Sequence, residues 1–289
     1  MFSGCLVAMV TPFTQDGVDY GKLKELVQFH LQEGTDGLVP AGTTGESPTL
    51  SHEEHKKVIE VVVKEAAHKI PVVPGTGSNS TAEALELTRF AKDVGADGAL
   101  LVAPYYNKPT QEGLYLHFKK IADEVDIPIV LYNIPGRTGI PITPETVARL
   151  AKHKNIVGIK EASGSMDQTS EILSLSDVTV LSGDDSLTLP LMSLGAKGVI
   201  SVVANIVPKD MKALIDAYNW GEVEKAADLH RRIYPLCRAM FLETNPIPIK
   251  TAMKMLGRLN GLLRLPLCPM APANEEKLKK ALKDYGLLS

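Results

Sequence analysis

Cysteine is scarce in this chain. Its 289 residues include three, Cys5, Cys237 and Cys268, widely separated and odd in number, which argues against a disulfide framework. Charge of one sign is lacking too. The formal net charge is −3, with no block of like charges, so neither the electrostatic footprint of a nucleic-acid binder nor a charged tail is present. No apolar run reaches membrane-spanning length, and the N-terminus lacks the basic start and apolar stretch of a signal peptide. These absences point to a cytoplasmic protein without a membrane or nucleic-acid partner. The remainder, 44% hydrophobic and 22% charged, is that of a globular chain. Its length suits two ordinary domains or a single α/β barrel.

Short apolar runs alternate with amphipathic stretches. Strands are expected over 6–10, 37–41, 72–75, 99–103, 129–132, 157–160, 179–182 and 199–202, and helices between them, as over 22–32, 53–67, 82–94 and 114–124. Alternation of this kind implies a parallel sheet with crossover helices. Continuously apolar strands such as Ile129-Val-Leu-Tyr132 fit a sheet covered on both faces. The joints Glu33-Gly-Thr-Asp-Gly37, Val94-Gly-Ala-Asp-Gly98 and Leu194-Gly-Ala-Lys-Gly198 reuse one helix-to-strand loop, with glycine at a left-handed cap. Eight such units predict an α/β fold, a (β/α)₈ TIM barrel over 1–220, with an open doubly wound sheet as the alternative. The pattern then turns helical, over 209–218, 222–242, 249–256 and 274–283. A C-terminal helical extension over 221–289 is therefore expected.

In a (β/α)₈ barrel the reactive groups lie at strand C-terminal ends. Lys160 ends the apolar run Ile156-Val-Gly-Ile-Lys160, a setting that disfavours an ammonium and favours an amine able to attack a carbonyl. The same rim receives Ala41-Gly-Thr-Thr-Gly-Glu46, Ala103-Pro-Tyr-Tyr-Asn107, Tyr132-Asn-Ile-Pro-Gly-Arg-Thr-Gly139 and Ser182-Gly-Asp-Asp185. Thr43 and Thr44, with exposed backbone N–H groups, make a cradle for a carboxylate, although Gly42 and Gly45 would also serve a plain tight turn. Tyr132 is either a half-buried core aromatic or a phenol that relays protons to the lysine. Arg137 is either a surface residue or a bidentate clamp for an anion. Gly75-Thr-Gly77 lacks the third glycine of a dinucleotide loop. His52-Glu-Glu-His55 lacks metalloprotease spacing and a third ligand, so no metal site is expected. Ser51-His-Glu-Glu54 and Ser80-Thr-Ala-Glu83 read equally as capping boxes.

Gly42-Thr-Thr-Gly-Glu46, Pro104-Tyr-Tyr-Asn107, Leu131-Tyr-Asn-Ile-Pro-Gly-Arg-Thr138, Ile159-Lys-Glu161, Leu181-Ser-Gly-Asp-Asp185, Gly198-Val-Ile-Ser201 and Asn245-Pro-Ile-Pro248 occur in order over the whole chain. Together they resemble the dihydrodipicolinate synthase family of pyruvate-dependent lyases. The resemblance implies that Lys160 forms a Schiff base with pyruvate, whose enamine attacks L-aspartate-4-semialdehyde in lysine and diaminopimelate biosynthesis. No metal or organic cofactor is implied. Thr43, Tyr132 and Tyr106 match the family's proton relay, with Tyr106 supplied by a neighbouring subunit. Thr44, Gly183 and Ile200 match positions around pyruvate, and Arg137 the position that binds the semialdehyde carboxylate. His52, His55, Asn79, Glu83 and Tyr105 match positions that bind the feedback inhibitor L-lysine, with Pro48 standing where sensitive members often carry a small residue. A homotetramer built from two tight dimers is implied. A pyruvate-dependent aldolase of a sugar acid and a silent barrel sensing a small acid are the alternatives.

Overall fold

Residues 2–289 are described by the structure, a computed structural model. Seven parallel strands, β1 (Gly4–Ala8), β2 (Gly37–Val39), β3 (Ala99–Val102), β4 (Ile129–Asn133), β5 (Ile156–Glu161), β6 (Thr179–Ser182) and β7 (Gly198–Ser201), run in the order β2-β1-β7-β6-β5-β4-β3. The expected strand over 72–75 fills the gap between β2 and β3 as two bridges, Val72 to Leu38 and Gly75 to Leu100. It lacks a regular ladder because Pro71 and Pro74 have no N–H to donate. Hydrogen bonds from Val73 N to Leu38 O and from Leu100 N to Pro74 O, each 2.8 Å, nevertheless close the ring. The result is a TIM barrel of seven regular strands and one bridging segment. β2 stops at Val39, short of the expected residue 41, because Pro40 follows.

Side chains alternate across each strand. One parity, including Leu6, Val39, Leu100, Val130, Leu181 and Ile200, fills the ring. The other, including Val7, Leu38, Leu101, Leu131 and Ile159, packs beneath the surrounding helices. The repeated joint turns as its glycines predict: Gly34, Gly95 and Gly195 have φ of 75°, 90° and 121°. After the helix Pro208–Asn219 come three more, Val223–Ala239, Ile247–Met255 and Pro272–Tyr285. Their Ile233, Leu236, Ile249, Met253, Leu278 and Leu282 share one apolar cluster with Val7 and Leu38 of the barrel. Fully burying side chains of this size contributes about 1.5–3 kcal/mol each, so the extension and the barrel stabilise one another. Among the described residues no helix is long and apolar enough to cross a membrane.

Candidate active site

The parallel register of β4 and β5 sets Tyr132 beside Lys160 and Asn133 beside Glu161. Alternation sends the first pair into the ring and the second outward. Lys160 is 5% exposed, and its Nζ lies 4.3 Å from the centre of the Tyr132 ring. On the outer side Asn133 Nδ2 donates to both Glu161 carboxylate oxygens, at 3.2 and 2.9 Å. Glu161 also accepts from the Ser163 N–H at 2.7 Å and from Gln168 Nε2 at 3.1 Å. Burial pushes the Glu161 carboxyl up, and these donors oppose the rise. The outward pair thereby pins the register that places the phenol against the amine.

The turn after β2 carries two non-glycine residues in the left-handed region, Ala41 at φ 53° and Glu46 at φ 54°. Its internal bonds run from Glu46 N to Thr43 O and from Ser47 N to Gly42 O, which leaves the Thr43 and Thr44 N–H groups for a ligand. The turn is held from the C-terminal extension. Glu46 and Lys250 form a wholly buried ion pair at 2.5 Å, with the ammonium 4.1 Å from the centre of the Phe13 ring. Burial draws Lys250 down to about 8, against the opposing charge of Glu46. Asn245 Nδ2 donates to Thr44 Oγ1 at 2.9 Å, and Arg137 donates to the Asn245 carbonyl at 3.0 Å.

These elements enclose a cavity of about 40 Å³, and Thr43, Thr44, Tyr132, Arg137, Lys160 and Gly183 all line it. A larger groove of about 310 Å³ adjoins it through Thr43, Ile134, Arg137 and Asn245. Gly183 is required by close approach, since a Cβ there would meet the Ala162 Cβ at 2.5 Å. Ile200 sits with the aliphatic filling of the ring, and Val202, two residues on, reaches the cavity wall instead. Tyr106 lies outside the cavity, 89% exposed and at φ 71°. Asp184, Phe241 and Asn245 line the cavity without having been singled out from the sequence. The motifs containing Asp184 and Asn245 were visible, but nothing in their spacing showed which side chain turns inward. Chemically, the site offers a buried amine against a phenol, hydroxyls and N–H groups for one anion, and a guanidinium for another.

A second cavity of about 230 Å³ gathers His52, His55, Glu83 and Tyr105 beside Pro48 and Ser78. His52 Nε2 lies 2.7 Å from Glu83 Oε1, and Ser78 Oγ donates to the same carboxylate. The expected capping box at 80–83 is only half formed. Ser80 Oγ accepts from Glu83 N at 3.5 Å, but the Ser80 N–H turns to Ser78 Oγ at 3.1 Å, and the Glu83 carboxylate pairs with His52 and Ser78 at the cavity wall instead. At Ser51 and Glu54 both halves are present. His55 Nε2 bonds the Gly75 carbonyl at 2.7 Å, and burial lowers its pKa. Asn79 is not among the wall residues; its carbonyl accepts from Asn107 Nδ2 at 2.9 Å.

The family described as "Dihydrodipicolinate synthetase family" matches residues 1–285. A 4-hydroxy-tetrahydrodipicolinate synthase of Geotalea uraniireducens is 57% identical over 290 residues, covering 100% of both chains. Among solved structures, a chloride-inhibited dihydrodipicolinate synthase of Acinetobacter baumannii complexed with pyruvate is 48% identical at a TM-score of 0.97, covering 100% of both chains. A synthase of Cyanidioschyzon merolae with lysine bound is 43% identical at a TM-score of 0.97, covering 99% of each.

Proposed function

The chain belongs to the dihydrodipicolinate synthetase family, and from that premise we infer that it is a Schiff-base lyase, a 4-hydroxy-tetrahydrodipicolinate synthase condensing pyruvate with L-aspartate-4-semialdehyde. The observation that carries the reading is the buried Lys160 amine over the Tyr132 phenol, in one cavity with Thr43, Thr44 and Arg137. Lys160 Nζ adds to the pyruvate carbonyl, and loss of water leaves an imine. The imine draws electrons from the methyl group, which loses a proton and becomes an enamine carbon that attacks the aldehyde. Thr43 and Thr44 hold the pyruvate carboxylate, Tyr132 relays protons, and Arg137 receives the semialdehyde carboxylate. Tyr106, extended away from its own cavity, completes the relay of a second copy of the chain, so the working unit is at least a dimer and, as a pair of dimers, a tetramer. A coupled assay with pyruvate and the semialdehyde, together with borohydride trapping, tests the reading. Turnover and a pyruvate adduct at Lys160 are expected. No adduct would sink the enzyme reading, and an adduct without semialdehyde consumption would favour a sugar-acid aldolase.

The second cavity favours a regulatory reading. The Glu83 carboxylate, free of its cap, suits the ammonium of L-lysine, with His52, His55 and Tyr105 as the other walls. The relative that carries bound lysine supports it. Loss of activity on lysine addition is expected, and an unchanged rate at millimolar lysine would reject the site.

A further inference from the structure

The barrel is stitched unevenly, and one thin seam runs between the groups that meet pyruvate. β5 and β6 pair in register from Gly158 and Thr179 to Glu161 and Ser182, and the Gly183 N–H extends the ladder to the Glu161 carbonyl at 2.7 Å. β1 and β7 pair from Gly4 and Gly198 to Val7 and Ser201. Between β6 and β7, among the described residues, the register is Ser182 opposite Val199 alone, with a backbone bond from Lys197 N to Val180 O nearer the foot. The ring therefore falls into two parts. One part, β3 to β6, carries Tyr132, Lys160 and Gly183. The other, β7, β1 and β2, carries Val202, Ala8 and the turn of Thr43 and Thr44. Both parts wall the same cavity.

At this seam a side chain stands in for the ladder. Asp185, 3% exposed, follows β6, and its Oδ2 accepts from Val202 N at 3.1 Å and Val203 N at 2.8 Å, just past the end of β7. Asn205 carries the tie onward, since its Nδ2 donates to the Val202 carbonyl at 2.9 Å and to the Ala8 carbonyl at 2.8 Å. The other carboxylate oxygen, Oδ1, is buried without a donor, so one acceptor oxygen makes the link. Burial raises the Asp185 carboxyl, and the Ser201 hydroxyl and the two N–H groups oppose the rise. A buried carboxylate with one oxygen unsatisfied is costly in a core. What this one holds is the cavity wall.

We propose that Asp185 is a positioning residue for imine formation: it closes the β6–β7 seam and so fixes the Lys160 amine relative to the cradle of Thr43 and Thr44. Pyruvate has to span the two, with its carboxylate on the cradle and its keto carbon against the amine, which adds there before water leaves. Asp185 is not among the cavity wall residues and acts through Val202 and Gly183, which are. The proposal rests on the Schiff-base reading and concerns its first step.

The test follows that step alone. The unmutated chain, Asp185→Ala, Asp185→Asn, Asp185→Glu and Cys237→Ala are each mixed with saturating pyruvate and quenched with borohydride at intervals. The reduced adduct at Lys160 is read by mass spectrometry for its rate and its final amplitude. Asp185→Ala should slow the rate about ten- to a hundredfold, the scale of a small displacement of reacting groups, while the amplitude stays full. Asp185→Asn presents the same acceptor oxygen without the charge and should stay within about threefold of the unmutated rate. Asp185→Glu keeps the charge but displaces the oxygen, and should be slow. That pair decides the matter if Asp185→Ala does not fold. Cys237, 3% exposed, shares an apolar core with Val203. Its change to Ala should lower the melting temperature, as core truncations do, and leave the rate within about twofold. An unchanged Asp185→Ala rate, a loss of amplitude alone, an Asp185→Asn rate as slow as that of Asp185→Glu, or equal slowing in Cys237→Ala would overturn the proposal. If the unmutated chain forms no adduct, the Schiff-base reading fails and this inference falls with it.

Discussion

The Lys160 amine is held over a phenol ring inside a cylinder of aliphatic side chains, and that position governs which bonds it can make. Arg137 stands where this cavity meets the larger groove, with its guanidinium steadied by the Asn245 carbonyl. If it clamps the semialdehyde, Arg137→Ala should lower kcat/KM for that substrate by about 2–4 kcal/mol, while pyruvate adduct formation changes little. Steady-state kinetics beside borohydride trapping checks this, and equal losses for both substrates would show the role misassigned. That Lys160, Tyr132, Thr43, Thr44 and Arg137 share one rim was legible because each lies at or just after the end of a short apolar run, where a barrel gathers its loops. Asn245 was not. Its partner Thr44 is 201 residues away, and no local pattern encodes that meeting.

The turn after β2 and the helix Ile247–Met255 depend on one another. Glu46 in a left-handed conformation and Lys250 with no exposed surface are each costly alone, and either charge left buried without the other is costlier still. Lys250→Met leaves the buried Glu46 carboxylate without its ion-pair partner, with, among the described residues, only the Arg264 N–H donating to it at 3.1 Å, and should destabilise the fold by about 3–5 kcal/mol. Adding Glu46→Gln should recover part of that loss. Denaturant unfolding of the two variants measures both steps, and no recovery would mean that the lysine acts through packing alone. Sequence periodicity located most strands and helices. It overstated the regularity of 72–75, where two prolines silence the ladder, and it gave Glu83 a capping role that the Ser78 hydroxyl and His52 displace.

Across the whole molecule, extension and barrel share one core, and a partly exposed ion pair ties them at the surface. Arg264 forms two hydrogen bonds to Glu54, and the guanidinium pulls that carboxyl from 4.5 down to about 2. The folded state therefore prefers the charged form. This contribution is complete above pH 4.5 and is lost as pH falls toward 2. The stability gap between the unmutated chain and Glu54→Gln should narrow over that window, and added salt should shrink it further because the pair is partly exposed. Melting temperatures across the window test the sign; a gap that widens on acidification would contradict it. Tyr106 belongs to this scale as well. Tyr106 is 89% exposed at φ 71° and lies outside its own chain's cavity, and a second copy is proposed to receive it.

The alternation of apolar runs and helical stretches determined the barrel, and the position of a lysine at the end of one run marked the rim at which chemistry is proposed. Both are local patterns, repeated every few residues, that an isolated sequence displays in full. Which side chains converge was decided only by tertiary structure. Strand register set Tyr132 against Lys160, close approach at Gly183 brought Asp184 to the rim, and the C-terminal extension folded back to hold Thr44 and Glu46. Ring closure joins residues far apart along the chain, and that is the physical reason these contacts could not be read in advance.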